Sequence, residues 1–398
     1  MKLNKLTQLT AVSMALLGAS SFAASNDALL DLLVKKGVLS ETEATAVAAE
    51  LKEENKGVSF SAKGKETVKL RFNGRMQAQY DALSGEDNGV DNPSTNHFYF
   101  RRLFLGAKAN LANGVYAETV LDFARDGDGG DNYGVNFDKA SFGYKFDEKL
   151  DAQLGFQTVP FGFEETTSSS SLQTIERSAV NRFFADDIDF SSRHMGLHAQ
   201  GDLAGGFSYA VALVNSAQGE GSRLLGDSNT SNDMAFFGRA QWESNGFTVG
   251  VDGGSQSNNS VVGGSDVTAF TGYVNYKFEG LNLLAEYFTA DMDAAEDAEG
   301  YSLRASYKFG KFEPVVRFAH LETDSFVIDT DELIRRAPLG GSVTGTNNEI
   351  DSFYLGVNYY YSPAVTFLAG YENAKAENGA GTDEAKVDGF RARVQVLW

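Results

Sequence analysis

Three short runs carry basic side chains at a single parity. In "TVKLRFNGRMQAQY" these are Lys69, Arg71 and Arg75. In "FYFRRLFLGAKANL" they are Arg102 and Lys108, and in the closing "DGFRARVQVLW" they are Arg391 and Arg393. Arg239, Arg304 and Arg317 sit at the polar parity of later runs of the same kind. Fixed guanidinium and ammonium groups in a row need neither nucleophile nor metal to act. They attract anions and replace part of their hydration. The rival reading is a solvated face whose bases pair with nearby acids. Those acids are the inward ones of the same kind of run, Glu118, Asp122, Asp151, Asp252, Glu286, Glu313 and Glu372; the stretch 160–192 separately carries Glu164, Glu165, Glu176, Asp186 and Asp187.

The elements that must position these groups are strands. From Thr67 the hydropathy period is 2, which puts alternate residues on opposite faces. Val68, Leu70, Phe72, Gly74, Met76, Ala78 and Tyr80 share one face of the first run, and the bases share the other. About sixteen such segments follow one another to Trp398. Tight connections such as "ANG", "ESNG" and "EG" alternate with long ones rich in Asp, Gly and Asn. An even strand number with short turns at one end and long loops at the other is the pattern of a transmembrane antiparallel β-barrel. There the apolar face meets lipid and the polar face lines water. Closing the barrel brings the first, second and last strands together, so Arg75, Arg102, Arg391 and Arg393 are expected to form a basic wall facing water. Trp398 is expected to pair with the first strand and sit in an interfacial girdle. Arg101 has the wrong parity for the lumen. Facing lipid at mid-height would cost about 2–4 kcal/mol, so a bulge or an interfacial position is expected there.

The rest of the chain fixes the compartment. Lys2 and Lys5, the apolar "AVSMALLGA" and the small residues of "SSFAAS" read as a signal peptide over 1–23. Residues 24–56 have a helical period, with a capping box at Ser40 and Glu43, and read as a short N-terminal helical extension. Residues 57–66 read as a linker and 67–398 as the barrel. The net charge of −20 excludes a general nucleic-acid binder, and the absence of cysteine excludes disulfides. The insert at 160–192 is too long and too apolar to wave in water. Phe161, Phe163, Ile175, Val180, Phe183, Phe184 and Ile188 predict that it folds into the lumen and narrows it.

Two metal-like patterns fail. His194 and His198 stand roughly 13 Å apart if they lie in one strand, too far to share a zinc. "DGDGGDN" from Asp126 starts like a calcium loop but lacks its closing glutamate. No nucleophile–base constellation stands out. Neither an enzyme activity nor a cofactor is expected.

The run "LGFQTVPFGFEETTSSSSLQTIERSAVNRF", with "FYFRRLFLGAKANL", "SRHMGLHAQGDL" and "ALLDLLVKKGVLSETEA", resembles the phosphate-selective porin O and P family. The resemblance implies a trimeric outer-membrane barrel with an inward third loop and an arginine-lined anion path. It adds Arg177 and Arg182 to the pore residues. It also implies lipid and lipopolysaccharide as surroundings and small anions, phosphate among them, as permeants. One departure matters: the lysine-rich constriction of high-affinity members is missing, since no lysine lies between Lys149 and Lys277. Loop acids facing wall arginines would give a transverse field instead. A general porin, non-specific or weakly cation-tolerant, is therefore the second reading. A secreted soluble all-β binding protein is the third.

Overall fold

The computed structural model describes residues 58–62, 66–124, 134–217, 233–293, 297–339, 347–381 and 384–398. The expected signal peptide and helical extension lie outside the described residues. Sixteen main strands follow in chain order: β1 (Glu66–Asp87), β2 (Thr95–Asn110), β3 (Val115–Asp122), β4 (Asn136–Lys145), β5 (Asp151–Thr158), β6 (Arg193–Asp202), β7 (Phe207–Asn215) and β8 (Met234–Ser244). Then come β9 (Phe247–Asn259), β10 (Ser265–Phe278), β11 (Leu281–Asp291), β12 (Asp297–Tyr307), β13 (Phe312–Thr323), β14 (Glu349–Ser362), β15 (Val365–Glu377) and β16 (Glu384–Leu397).

By contacts the chain divides into two units. The smaller comprises residues up to Phe72 together with Ala107–Asn113. Within it the expected linker holds a strand, Val58–Ala62, which pairs with the start of β1 (Val58 opposite Leu70, Ala62 opposite Glu66). Lys69, Arg71 and Lys108 belong to this unit and are half-buried.

The larger unit holds the rest. Successive strands pair antiparallel from β3 to β16. β16 then pairs with β1, from Ala385 opposite Asp87 to Leu397 opposite Arg75, so the sheet closes on itself. The tight turns have left-handed pairs where the sequence offers Asn-Gly or Glu-Gly: Asn113–Gly114, Asn245–Gly246 and Glu279–Gly280. That backbone matches the twist of the flanking strands.

Burial is inverted relative to a soluble sandwich. Gln77, Gln79, Asp81, Arg102, Asp252, Glu286, Arg304, Arg317, Arg391 and Arg393 are buried inside. Phe142, Leu197, Phe236, Val251, Phe270, Leu303, Phe318 and Leu355 are exposed outside. An apolar surface of that extent belongs in lipid, which sets aside the soluble reading. At the tight-turn end, aromatic rings gather on the outer face: Tyr144 against Phe146, Phe247 against Tyr276, Phe312 against Tyr359. This is an interfacial girdle.

Trp398 joins that girdle. Its backbone exchanges hydrogen bonds with Gly74 (N–H to O 3.2 Å and 2.9 Å in return). Its ring covers Gly74 so closely that a Cβ there would lie 2.1 Å from the indole. Gly74→Val should therefore unseat the last aromatic. The overpacking costs about 1–3 kcal/mol at the closing seam. The yield of heat-modifiable folded protein checks this. A yield equal to the parent's would mean the indole has another seat.

Candidate functional site

The connection between β5 and β6 turns inward. Its neck is closed by Val159 N–H to Ser192 O at 3.2 Å. Val159, Phe161, Val180, Phe183, Phe184, Ile188 and Phe190 are fully buried against inward apolar side chains such as Val214, Phe237, Val267, Phe288 and Leu321. Phe161 meets Phe190 edge-on at 5.0 Å, and Phe184 stacks on Phe288 at 5.2 Å. The apolar content read in the sequence thus has its home on the inner wall.

Three short helical turns shape the loop: α1 (Phe163–Thr166), α2 (Ala179–Arg182) and a π-turn over Phe183–Asp187. Gly162 enters α1 at φ 80°, a backbone that suits glycine. Its N–H donates to Asp252 Oδ2 at 2.9 Å, and Arg239 clamps both Asp252 and the Gly162 carbonyl. The first N–H groups of α1 point at the Glu286 carboxylate, 2.6 Å from Phe163 N. Ser178 caps α2 by accepting from Asn181 N. Arg177 staples the loop to itself through carbonyls of Glu164, Glu165 and Thr167 and through the Glu165 carboxylate at 3.0 Å.

From Ser168 the loop crosses to the other wall. There the barrel grips its backbone: Gln77 donates to Ser169 O, Gln395 to Ser170 O, Asn358 to Gln173 O and Arg317 to Glu176 O.

The acids are paired one by one. Glu176 takes two bonds from Arg101 (2.9 and 3.2 Å) and one from Arg393 (2.7 Å). Glu164 faces Arg304 at 3.5 Å and Arg317 at 4.0 Å. Asp186 meets Arg182 at 3.1 Å and Arg335 at 3.8 Å. Asp187 accepts from Asp329 N at 3.1 Å. Arg391 bridges Glu372 (2.8 Å) and Asp81 (2.9 Å) and donates to Arg335 O.

This arrangement corrects the expected open basic wall. Arg391 and Arg393 do point inward, but they are 1% and 2% exposed and held by acids. The parity was right. The burial came from the loop folding onto them. The simple transverse field is also corrected, because Glu164, Glu165, Glu176 and Asp186 touch arginines directly. Arg101 is resolved as a bulge. Before it, His97, Tyr99 and Arg101 lie inward; after it, Arg102, Phe104 and Gly106 do. Both adjacent guanidiniums therefore enter the lumen. A second irregularity, between Val120 and Leu121, leaves Asp138 as an extra residue in β4. Asp138 binds Arg193 at 2.7 Å, while neighbouring Lys139 binds Glu118 at 2.9 Å. Bulges beside a functional region re-aim side chains in this way.

The connection between β13 and β14 also contributes, which sequence reading missed. Ile328, Leu333 and Ile334 bury in the same apolar cluster, around α3 (Thr330–Leu333). The Arg336 guanidinium lies 3.8 Å from the Tyr99 ring centre. The apolar residues in "FVIDTDELIRRAPL" were the available signal.

Two guanidiniums stand apart. Arg102 is 8% exposed, and its hydrogen bond goes to the neutral Gln77 Oε1 at 3.0 Å. Arg75 donates to the Ser168 hydroxyl at 3.1 Å and lies 4.4 Å from the Phe104 ring centre. Among the described residues neither has a carboxylate within ion-pairing distance.

Burial alone would raise the Glu176 carboxyl, yet Arg101, Arg393 and Arg102 hold it well below the usual carboxylate range. Glu165 goes the other way: burial raises it, although Arg177 pulls it down. As pH falls through that raised value, Glu165 loses its negative charge before an ordinary glutamate would. The constriction then becomes more positive. Anion preference should rise on mild acidification in the parent. In Glu165→Gln it should start higher and stay flatter over the same interval. Parallel pH curves of reversal potential in the two channels would contradict this.

Residues 70–242 match the family described as Phosphate-selective porin O and P. The chain is 23% identical to Porin O of Pseudomonas aeruginosa, covering 83% of this chain and 88% of that one. The fold is similar to that of an anion-selective porin from Comamonas acidovorans (TM-score 0.61, 15% identity, 83% of this chain and all of the other). It is also similar to OmpT of Vibrio cholerae in its trimer form (TM-score 0.55, 14% identity, 83% and 99%). The motif resemblance and the family match agree: residues 70–242 match that family's model, and the sixteen main strands close into a barrel similar to those of the solved porins.

Proposed function

We propose that the chain is an outer-membrane porin: a passive, water-filled channel for small hydrophilic solutes that prefers anions. The observation that carries this is that Arg75 and Arg102, at the loop, have no carboxylate within ion-pairing distance among the described residues. Nearly every other charge there is matched. A guanidinium withdrawn from water, fully at Arg102 and partly at Arg75, costs free energy without a carboxylate, and a passing anion offsets that cost. Arg177, Arg182, Arg239, Arg304 and Arg317 serve instead as loop anchors, paired with Glu165, Asp186, Asp252, Glu164 and Glu372. Glu164, Glu165, Glu176, Asp186 and Asp187 anchor the loop from its own side. In this reading Lys69, Arg71 and Lys108 add positive charge that attracts anions. The family match and the anion-selective fold relative support the same direction. A cleaved signal peptide over 1–23, a helical extension over 24–56 and a homotrimer surrounded by lipopolysaccharide complete the proposal.

The test is the reversal potential of the purified channel in a chloride salt gradient. A potential on the anion side is expected, and one on the cation side would overturn the reading. Adding phosphate to the chloride bath separates the finer alternatives. Block of chloride current at low phosphate indicates phosphate preference, and simple additivity indicates a general anion-preferring porin.

A further inference from the structure

The outward face at the long-connection end carries charges that the channel reading does not use. Register places five glutamates directly opposite one another across five strands. Glu299 faces Glu322, Glu322 faces Glu349, Glu349 faces Glu377 and Glu377 faces Glu384. Like charges directly opposite destabilise a sheet. The next outward row, one step nearer the apolar belt, reads Tyr301, His320, Asp351, Lys375, Lys386.

That second row compensates the first on one side only. Lys375 binds Glu377 at 2.6 Å and Glu384 at 3.0 Å, and Lys386 binds Glu384 and Glu86. At β12–β14 there is no such lysine. Glu299 accepts from the Tyr287 hydroxyl, and Asp351 contacts His320 Nδ1 at 2.8 Å. Glu349 has no hydrogen bond or ion pair among the described residues. His320, Glu349 and Asp351 each offer a ligand atom, and these atoms lie within 4.8 Å of one another.

We propose that His320, Glu349 and Asp351 bind one divalent cation of the zinc type on the outward face of β13 and β14. An imidazole nitrogen with two carboxylates is a donor set that zinc accepts. Bonds near 2.0–2.2 Å put tetrahedral ligand atoms about 3.3 Å apart, so the widest present spacing, up to 4.8 Å, closes by as much as about 1.5 Å through side-chain rotation. A mixed nitrogen and oxygen set favours zinc over magnesium or calcium, which take oxygen. The cation does for Glu349 and Asp351 what Lys375 does for Glu377 and Glu384, and it ties β13 to β14 at the rim.

Zinc binding by the untagged, detergent-solubilised full-length protein, measured by calorimetry, tests this. One zinc per chain is expected. His320→Ala, Glu349→Gln and Asp351→Asn should each weaken it about tenfold or more, at least what a supporting neighbour of a ligand costs. Excess calcium should displace it poorly. Each variant's parent-like conductance and heat-modifiable mobility would show that it is folded. Retained parent affinity in the folded His320→Ala and Glu349→Gln variants would overturn the site. So would calcium binding equal to zinc and indifferent to His320, which would reduce the row to a diffuse acidic surface. Because these residues lie outside the lumen, failure here leaves the channel reading standing.

Discussion

Arg75→Gln/Arg102→Gln is expected to abolish most of the anion preference while the channel still folds. Neither guanidinium holds a carboxylate, so glutamine orphans no acid. Gln77 and the Ser168 hydroxyl, the present acceptors, are neutral and can meet an amide. Removing two uncompensated charges, Arg102 buried and Arg75 half-buried, relieves desolvation and leaves stability level or slightly raised. The electrical effect is large. A unit charge about 4 Å from an ion is worth about 4 kcal/mol at an effective dielectric of about 20 and about 1 kcal/mol in bulk water. Even the lower figure changes a permeability ratio about fivefold for each charge. The shift should be greatest at low salt, where the screening length is longest. A double variant whose reversal potential equals the parent's at low salt would end the assignment of these two residues.

Glu176→Gln should move the channel in the opposite direction and also damage it. The carboxylate, 5% exposed, neutralises Arg101 and Arg393. Without it these join Arg102 as an uncompensated cluster. Anion preference should rise by a factor comparable to the fall above. Breaking a buried pair by removing one partner also costs about 3–5 kcal/mol. That loss falls on the part of the loop held to β16 and β2, so conductance should rise and become noisier. Because Arg101, Arg393 and Arg102 hold the group well below the usual carboxylate range, its contribution is fully present above the ordinary carboxylate value. It is lost as pH falls through the depressed one. The parent should come to resemble the variant only in strong acid. A variant with unchanged selectivity and unchanged current noise would show that Glu176 is not the counter-charge.

The same pairing changes what Arg391→Gln/Arg393→Gln would do. Read from parity alone, that pair is a selectivity change with little effect on folding. In the structure it takes an arginine from each of Asp81, Glu372 and Glu176 and leaves them with Tyr99 and Gln79, Arg317, and Arg101 respectively, so stability falls first.

The strands were legible because each repeats one local rule, alternation, for eight residues or more. Asn245–Gly246 marked its own turn for the same reason. The bulge at Arg101–Arg102 was half legible: two adjacent charges in a strand break the alternation, and lipid is a poor place for either. Partners were not legible. Arg393 meets Glu176 only after the barrel closes and the loop crosses it, and nothing near either residue marks the other. Whether an inward base is free or paired was therefore beyond the reach of parity. The second inward connection was missed for a different reason. Ile328, Leu333 and Ile334 lie among acids and arginines, and their apolar content is diluted. The glutamate row was invisible until register aligned residues from five strands.

The barrel holds the crossing part of the loop by main-chain carbonyls, those of Ser169, Ser170, Gln173 and Glu176. Every amino acid presents that same oxygen. Ser169 and Leu172 are buried and the Ser168 hydroxyl meets Arg75, but the less buried side chains of Ser170, Ser171 and Gln173 can change through descent without loosening the seat. Related channels could explore different solutes by rewriting those three positions, while Gln77, Asn358, Arg317 and Gln395 keep the span in place.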